Sequence, residues 1–144
     1  MVENLLARLS QGSDTPLQDA YDDCVRDCTT AYLVTGDRAY AERSAALVAE
    51  LLRHEDWVDR FSKGLTRAYM AVSVVLAYEL CAPAWDADLV HLVRDELEEA
   101  AIWMAASMGV GANDYLANNW QGVRYAAVGL CALAAATPRV VGLQ

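Results

Sequence analysis

The sequence predicts an all-α chain, an incomplete α/α toroid of about five antiparallel helices in which inner helices alternate with outer ones. Three observations carry that expectation. Ala and Leu abound in a 144-residue chain that is 56% apolar, while its three prolines and eight glycines fall mostly between the periodic stretches. Segments that are apolar almost all round alternate with segments that have one wet face, as two concentric helical layers require. The chain then stops before enough helix pairs have accumulated to close a barrel. A compact five-helix bundle with a central apolar helix satisfies the same periodicity and remains the alternative.

Residues 1–13 read as an N-terminal extension and 14–144 as the partial toroid domain. The first helix is expected from about Pro16 to Thr35: Thr15 is a cap with proline in the first turn, and Leu17, Tyr21, Cys24 or Val25, Cys28, Ala31 and Tyr32 recur at helical spacing. Gly36 ends it, and Asp37 caps a second helix running to about His54. There Ala41, Ala45, Val48 and Leu52 form the stripe, with Glu42, Arg43, Glu50 and Arg53 mostly off it. The third helix, from Gly64 or Leu65 to Cys81, is apolar around its circumference and is expected to be buried on nearly all sides. Pro83 stops it. Asp86 starts a fourth helix to about Met108, with Leu89, Val93, Leu97, Ala101 and Met104 on one face and Arg94, Asp95, Glu98 and Glu99 on the other. After a glycine-bearing loop at 109–114, a fifth helix from Asn118 to Ala136 is again apolar nearly all round. Helices one, three and five are assigned to the inner ring, two and four to the outer.

A formal charge of −9 with only eleven scattered Lys and Arg argues against nucleic-acid binding, because a phosphate-binding surface needs clustered cations. No membrane span is expected, since the longest apolar run, Ala68 to Leu80, is interrupted by Glu79 and is too short to cross a bilayer. Without an export signal the chain as written reads as cytoplasmic. The four cysteines lie at apolar helix positions and are expected to be buried free thiols. Cys24 and Cys28 share a helix face, but zinc wants four donors and His54 and His91 belong to other helices, so no metal and no cofactor is expected.

Polar residues of unusual type collect where the third and fifth helices begin. The fifth opens on Asn118, Asn119, Trp120 and Gln121 and continues to Arg124 and Tyr125; the third is preceded by Lys63 and carries Arg67 and Tyr69 in its first turns. Parallel inner helices put those two starts on one rim, where free N–H groups, amides, guanidinium groups and rings suit an anionic sugar. Capping is the plainer explanation of the asparagines, and a tryptophan such as Trp120 more often belongs to a core than to a stacking platform. Arg124 amid apolar residues demands a partner, Glu79 or Asp114 being the acids considered. The acids at 19, 22, 23 and 27 suit the start of a helix.

Three segments carry a family resemblance: Tyr32-Leu33-Val34-Thr35-Gly36-Asp37-Arg38-Ala39-Tyr40-Ala41, then Ala71 to Leu80 followed by a proline-bearing turn, then Asn119-Trp120 leading into Ala126 to Ala134. Over roughly residues 14–136 the chain resembles the helical domain of heparinase II/III-like polysaccharide lyases and related alginate lyases. The resemblance implies an incomplete toroid followed by a β-sandwich, and β-elimination at a uronic acid. An Asn opening an inner helix would neutralise the sugar carboxylate while a Tyr and a His from later segments move protons.

On that basis Asn119 or Asn118 is the expected catalytic amide, with Trp120, Gln121, Arg124, Tyr125, Arg67, Lys63 and Tyr69 binding substrate. Trp120 stands where many members have His, and the later Tyr, His and sandwich lie beyond Gln144. The expected function is therefore a fragment of a lyase helical domain that binds an acidic polysaccharide or oligosaccharide, not active alone; full-length relatives would be periplasmic or secreted. An α/α-toroid glycoside hydrolase fragment and a non-catalytic helical binding module are the alternatives. Either a missing C-terminal portion or self-association is expected to cover the fifth helix.

Overall fold

In the computed structural model, residues 17–54, 57, 65–108 and 119–137 are described, the side chains of 17–22, 65, 108, 119 and 120 excepted. They form α1 (Leu17–Thr35), α2 (Arg38–Leu51), α3 (Leu65–Cys81), a 3₁₀ turn (Ala82–Ala84), α4 (Ala87–Met108) and α5 (Asn119–Ala136), with no strand among the described residues. The all-α expectation holds. Pro16 and Asn118, the expected first residues of two helices, lie outside the described residues, as do the N-terminal extension and the loop at 109–114.

The helix ends follow from local chemistry. Gly36 sits at φ +68°, the left-handed conformation that terminates helices, and its N–H donates to the Tyr32 carbonyl at 2.8 Å. Thr35 Oγ1 donates back to the Ala31 carbonyl at 2.7 Å and accepts from the Asp37 N–H at 3.1 Å. Asp37 Oδ1 in turn accepts from the Ala39 N–H at 3.0 Å, so adjacent residues close α1 and open α2. Downstream, Pro83 falls in the 3₁₀ turn, and Asp86 Oδ1 accepts from the Leu89 N–H at 2.8 Å to cap α4. The α-helical part of α2 stops at Leu51, short of His54, where the bonds tighten into turns such as His54 N–H to the Leu51 carbonyl at 3.0 Å.

Packing is centred on α3. It lies against α1 and α5 along its length and also meets α2 and α4; α1 and α5 pack on α3 rather than extensively on each other. Each amphipathic helix closes one groove, α2 resting mainly on α1 and α4 mainly on α5. The core is continuous: Val25, Val48, Leu51, Met70, Val74, Tyr78, Val93, Leu97 and Met104 are wholly enclosed. Trp85 folds over one end, its Nε1 donating to the Ala41 carbonyl at 3.0 Å, with its ring tilted against Tyr78.

The wet faces fall where periodicity puts them. Leu89, Val93, Leu97, Ala101 and Met104 are all buried, while Asp95 and Glu98 are exposed. Two faces are more open than burial on all sides implies. On α3 a narrow stripe of Tyr69, Leu76 and Leu80 reaches solvent. On α5 only the side carrying Ala127, Cys131 and Ala134 is covered, and Leu133 is 70% exposed. None of the helices searched is long and apolar enough to cross a membrane.

Candidate functional site

The antiparallel order brings the start of α3, the second half of α4 and the start of α5 toward one another, and two arginines, Arg67 and Arg124, are anchored there on α4. Arg67, in the first turn of α3, is only 2% exposed. Its Nη2 donates to Glu99 Oε2 of α4. Its guanidinium lies between two indoles, 5.1 Å from the Trp57 ring and 5.5 Å from that of Trp103. Trp57 is itself held by Glu96, whose Oε2 accepts from the indole N–H at 2.9 Å. Nε and Nη1 of Arg67 find no hydrogen-bond partner among the described residues, and the ring faces on either side offset part of that cost.

Arg124 is anchored differently. It is half-buried, and its Nη2 donates to Ser107 Oγ at 2.5 Å. That hydroxyl donates in turn to the Met104 carbonyl at 2.9 Å. Among the described residues Arg124 Nε is enclosed without a hydrogen-bond partner. Burial pushes the guanidinium below its ordinary pKa, and Tyr125 opposes that shift only in part. A cation in the second turn of a helix also feels the positive end of the helix dipole. Asp114 lies outside the described residues, and the hydrogen-bond partner of Arg124 is the neutral Ser107 hydroxyl.

The two arginines do not meet at one point. Glu99 and Trp103, which hold Arg67, precede Ser107 by one to two turns of α4, so their anchorages are roughly 6–12 Å apart along it. Arg67, expected to bind substrate, is instead enclosed and committed to Glu99. Arg124 and the partly buried Gln121 stay together near the start of α5. Asn119 and Trp120 are its first two residues, which places the Asn119 backbone among the N–H groups that a helix leaves unsatisfied. Tyr125 is 55% exposed and about 100° around the helix from Arg124; Tyr69 is exposed on the open stripe of α3. Asn118 and Lys63 lie outside the described residues.

Sequence reasoning missed Ser107 and the Trp57–Arg67–Trp103 stack. No spacing rule announces a pairing between residues this far apart in the chain. The usable signal was the placement of Arg67 in an otherwise apolar helix, which requires a counter-charge from a neighbour.

The four thiols are free and buried, as expected. Burial raises the pKa of the Cys81 thiol, with the Thr29 and Ser44 hydroxyls opposing the shift, and burial raises those of Cys24 and Cys28 too. Cys131 is pushed up to about 12 by burial, with the Arg67 charge opposing. These thiols stay protonated and unreactive at neutral pH. Among the described residues no group of three or more His, Cys, Asp or Glu is placed to hold a metal.

No protein-family description, no curated protein and no solved structure matches this chain.

Proposed function

We propose that the chain is an incomplete α/α toroid, with α1, α3 and α5 inner and α2 and α4 outer, whose α5 start recognises the carboxylate of an acidic sugar. The order of packing along α1, α3 and α5 favours that arrangement over a closed bundle. One observation carries the functional reading: Arg124 is a partly desolvated cation held by a serine hydroxyl, with Nε free of any partner among the described residues. A guanidinium in that condition gains more from a planar carboxylate than a solvated one would.

The resemblance to heparinase II/III-like and alginate lyases gives the site its chemistry. Asn119 and Arg124 would draw charge from a uronate carboxylate, making the neighbouring C5 proton easier to remove, and the base and acid would come from residues outside this chain. The glycoside-hydrolase alternative is less well supported, because Glu96 and Glu99, acids of α4 near this end, are engaged by Trp57 and Arg67.

Calorimetric titration with oligomers of mannuronate, galacturonate or glucuronate tests the reading. Arg124→Ala should weaken binding by about ten- to a hundredfold, the loss of one charge-assisted contact, and Arg124→Lys should weaken it less. Neutral oligosaccharides of equal length should not bind. Equal affinity for neutral and acidic oligomers, or indifference to Arg124→Ala, would refute it.

A further inference from the structure

The two half-enclosed or enclosed arginines of this end are held through the same atom by partners of different charge. Arg67 gives Nη2 to the carboxylate of Glu99, and Arg124 gives Nη2 to the hydroxyl of Ser107. Arg124 lies in the second turn of α5, where the positive end of the helix dipole opposes a cation, and no carboxylate among the described residues pairs with it. What holds it comes from α4.

Ser107 is the next-to-last residue of α4, so its hydroxyl stands in the turn that carries the negative end of that helix's dipole. The direction of its bonds is fixed. A hydroxyl has one proton, and Ser107 donates it to the Met104 carbonyl at 2.9 Å, so toward Arg124 Nη2, 2.5 Å away, its oxygen can only accept. The relay from guanidinium to hydroxyl to carbonyl ties Arg124 to the end of α4. That end supplies roughly half a unit of negative charge, spread over several carbonyls, where an acid would supply a whole one.

Resting on the reading of Arg124 as a carboxylate anchor, we propose that Ser107 is the positioning residue of that anchor: it fixes the guanidinium through Nη2 without neutralising it, and so keeps the charge of Arg124 for an anionic ligand. An acid at this position would hold the fork as firmly and cancel its charge, as Glu99 does for Arg67. An apolar residue would do neither. Position and charge therefore make separate demands on residue 107, and a hydroxyl meets both. A role confined to packing or helix stability would not distinguish a carboxylate from a hydroxyl by its effect on ligand affinity.

Calorimetric titration of Ser107 variants with uronate oligomers tests this. Ser107→Ala should weaken binding about three- to tenfold, the loss of one hydrogen bond that orients the fork, and Ser107→Thr, which keeps the hydroxyl, should restore it. Ser107→Asp should weaken binding about as much as Arg124→Ala, with an unchanged helical circular dichroism spectrum. In the Arg124→Ala background, Ser107→Ala should leave the residual affinity unchanged, because Ser107 acts through Arg124. Binding that is lost in Arg124→Ala but indifferent to Ser107→Ala and Ser107→Asp would overturn this proposal and leave the carboxylate reading standing. An equal loss from Ser107→Ala with and without Arg124 would overturn it too. A parent chain that ignores acidic oligomers would defeat both.

Discussion

At the scale of single residues, burial decides what each charged or ionisable group does. Two arginines of nearly apolar helices have opposite fates: Arg67 has a carboxylate and two indoles around it, whereas Arg124 has a serine. The sequence marked Arg124 as needing a partner and assigned Arg67 to substrate instead, because Glu99 belongs to the face of α4 that periodicity marks as wet. Cys131 offers a test of burial that is independent of any ligand. Its folded-state pKa of about 12 stands above the ordinary 9.0, so the folded chain keeps a proton that the unfolded chain loses. Its contribution is intact below pH 9.0 and is lost as pH rises toward 12, by up to about 1.4 kcal/mol per pH unit. Thermal melts across that range should show a smaller alkaline fall for Cys131→Ala than for the parent chain. Parallel curves would mean that the thiol is not buried as described.

At the scale of elements, the helices were legible because their boundaries are written in local chemistry. Gly36 with Asp37, Pro83 and Asp86 each act within a few residues of themselves, and each ends or starts a helix where expected. What ties one element to another was not legible. Trp57, in the connection after α2, is 1% exposed and is fastened to α4 through Glu96 and through the Arg67–Glu99 pair. Glu99→Gln should therefore cost about 2–3 kcal/mol, less than for a fully buried pair because the Glu99 side chain is 39% exposed. Adding Arg67→Met should recover part of that loss, since an apolar side chain between two indoles leaves no buried charge unpaired. Denaturant titration of the single and double variants measures both. An additive, larger loss in the double variant would show that the stacking of Arg67 on the rings outweighs its pairing.

At the scale of the whole molecule, the position of α3 governs everything else. It is the most enclosed helix because the others are arranged about it, and α5, covered extensively only by α3 and α4, is open along one side. The sequence pointed to this through the alternation of apolar and amphipathic segments, but it could not separate an open row of inner helices from a closed bundle, since both enclose one apolar helix. It also put Arg67 and Arg124 in one cleft on the assumption that their helices start level, which the anchorages on α4 do not bear out. The proposed open row would leave the start and the outward side of α5 accessible, and what is proposed for α5 depends on its geometry. Spin labels attached through Thr30→Cys on α1 and Ala132→Cys on α5, both exposed positions, would measure it by dipolar spectroscopy in dilute samples. The four native thiols, buried and protonated, should take no label. With α3 between them, the axes of α1 and α5 should lie about 16–20 Å apart, twice the roughly 8–10 Å of packed helices. A distribution centred on directly packed helices would contradict the open row and restore the closed bundle.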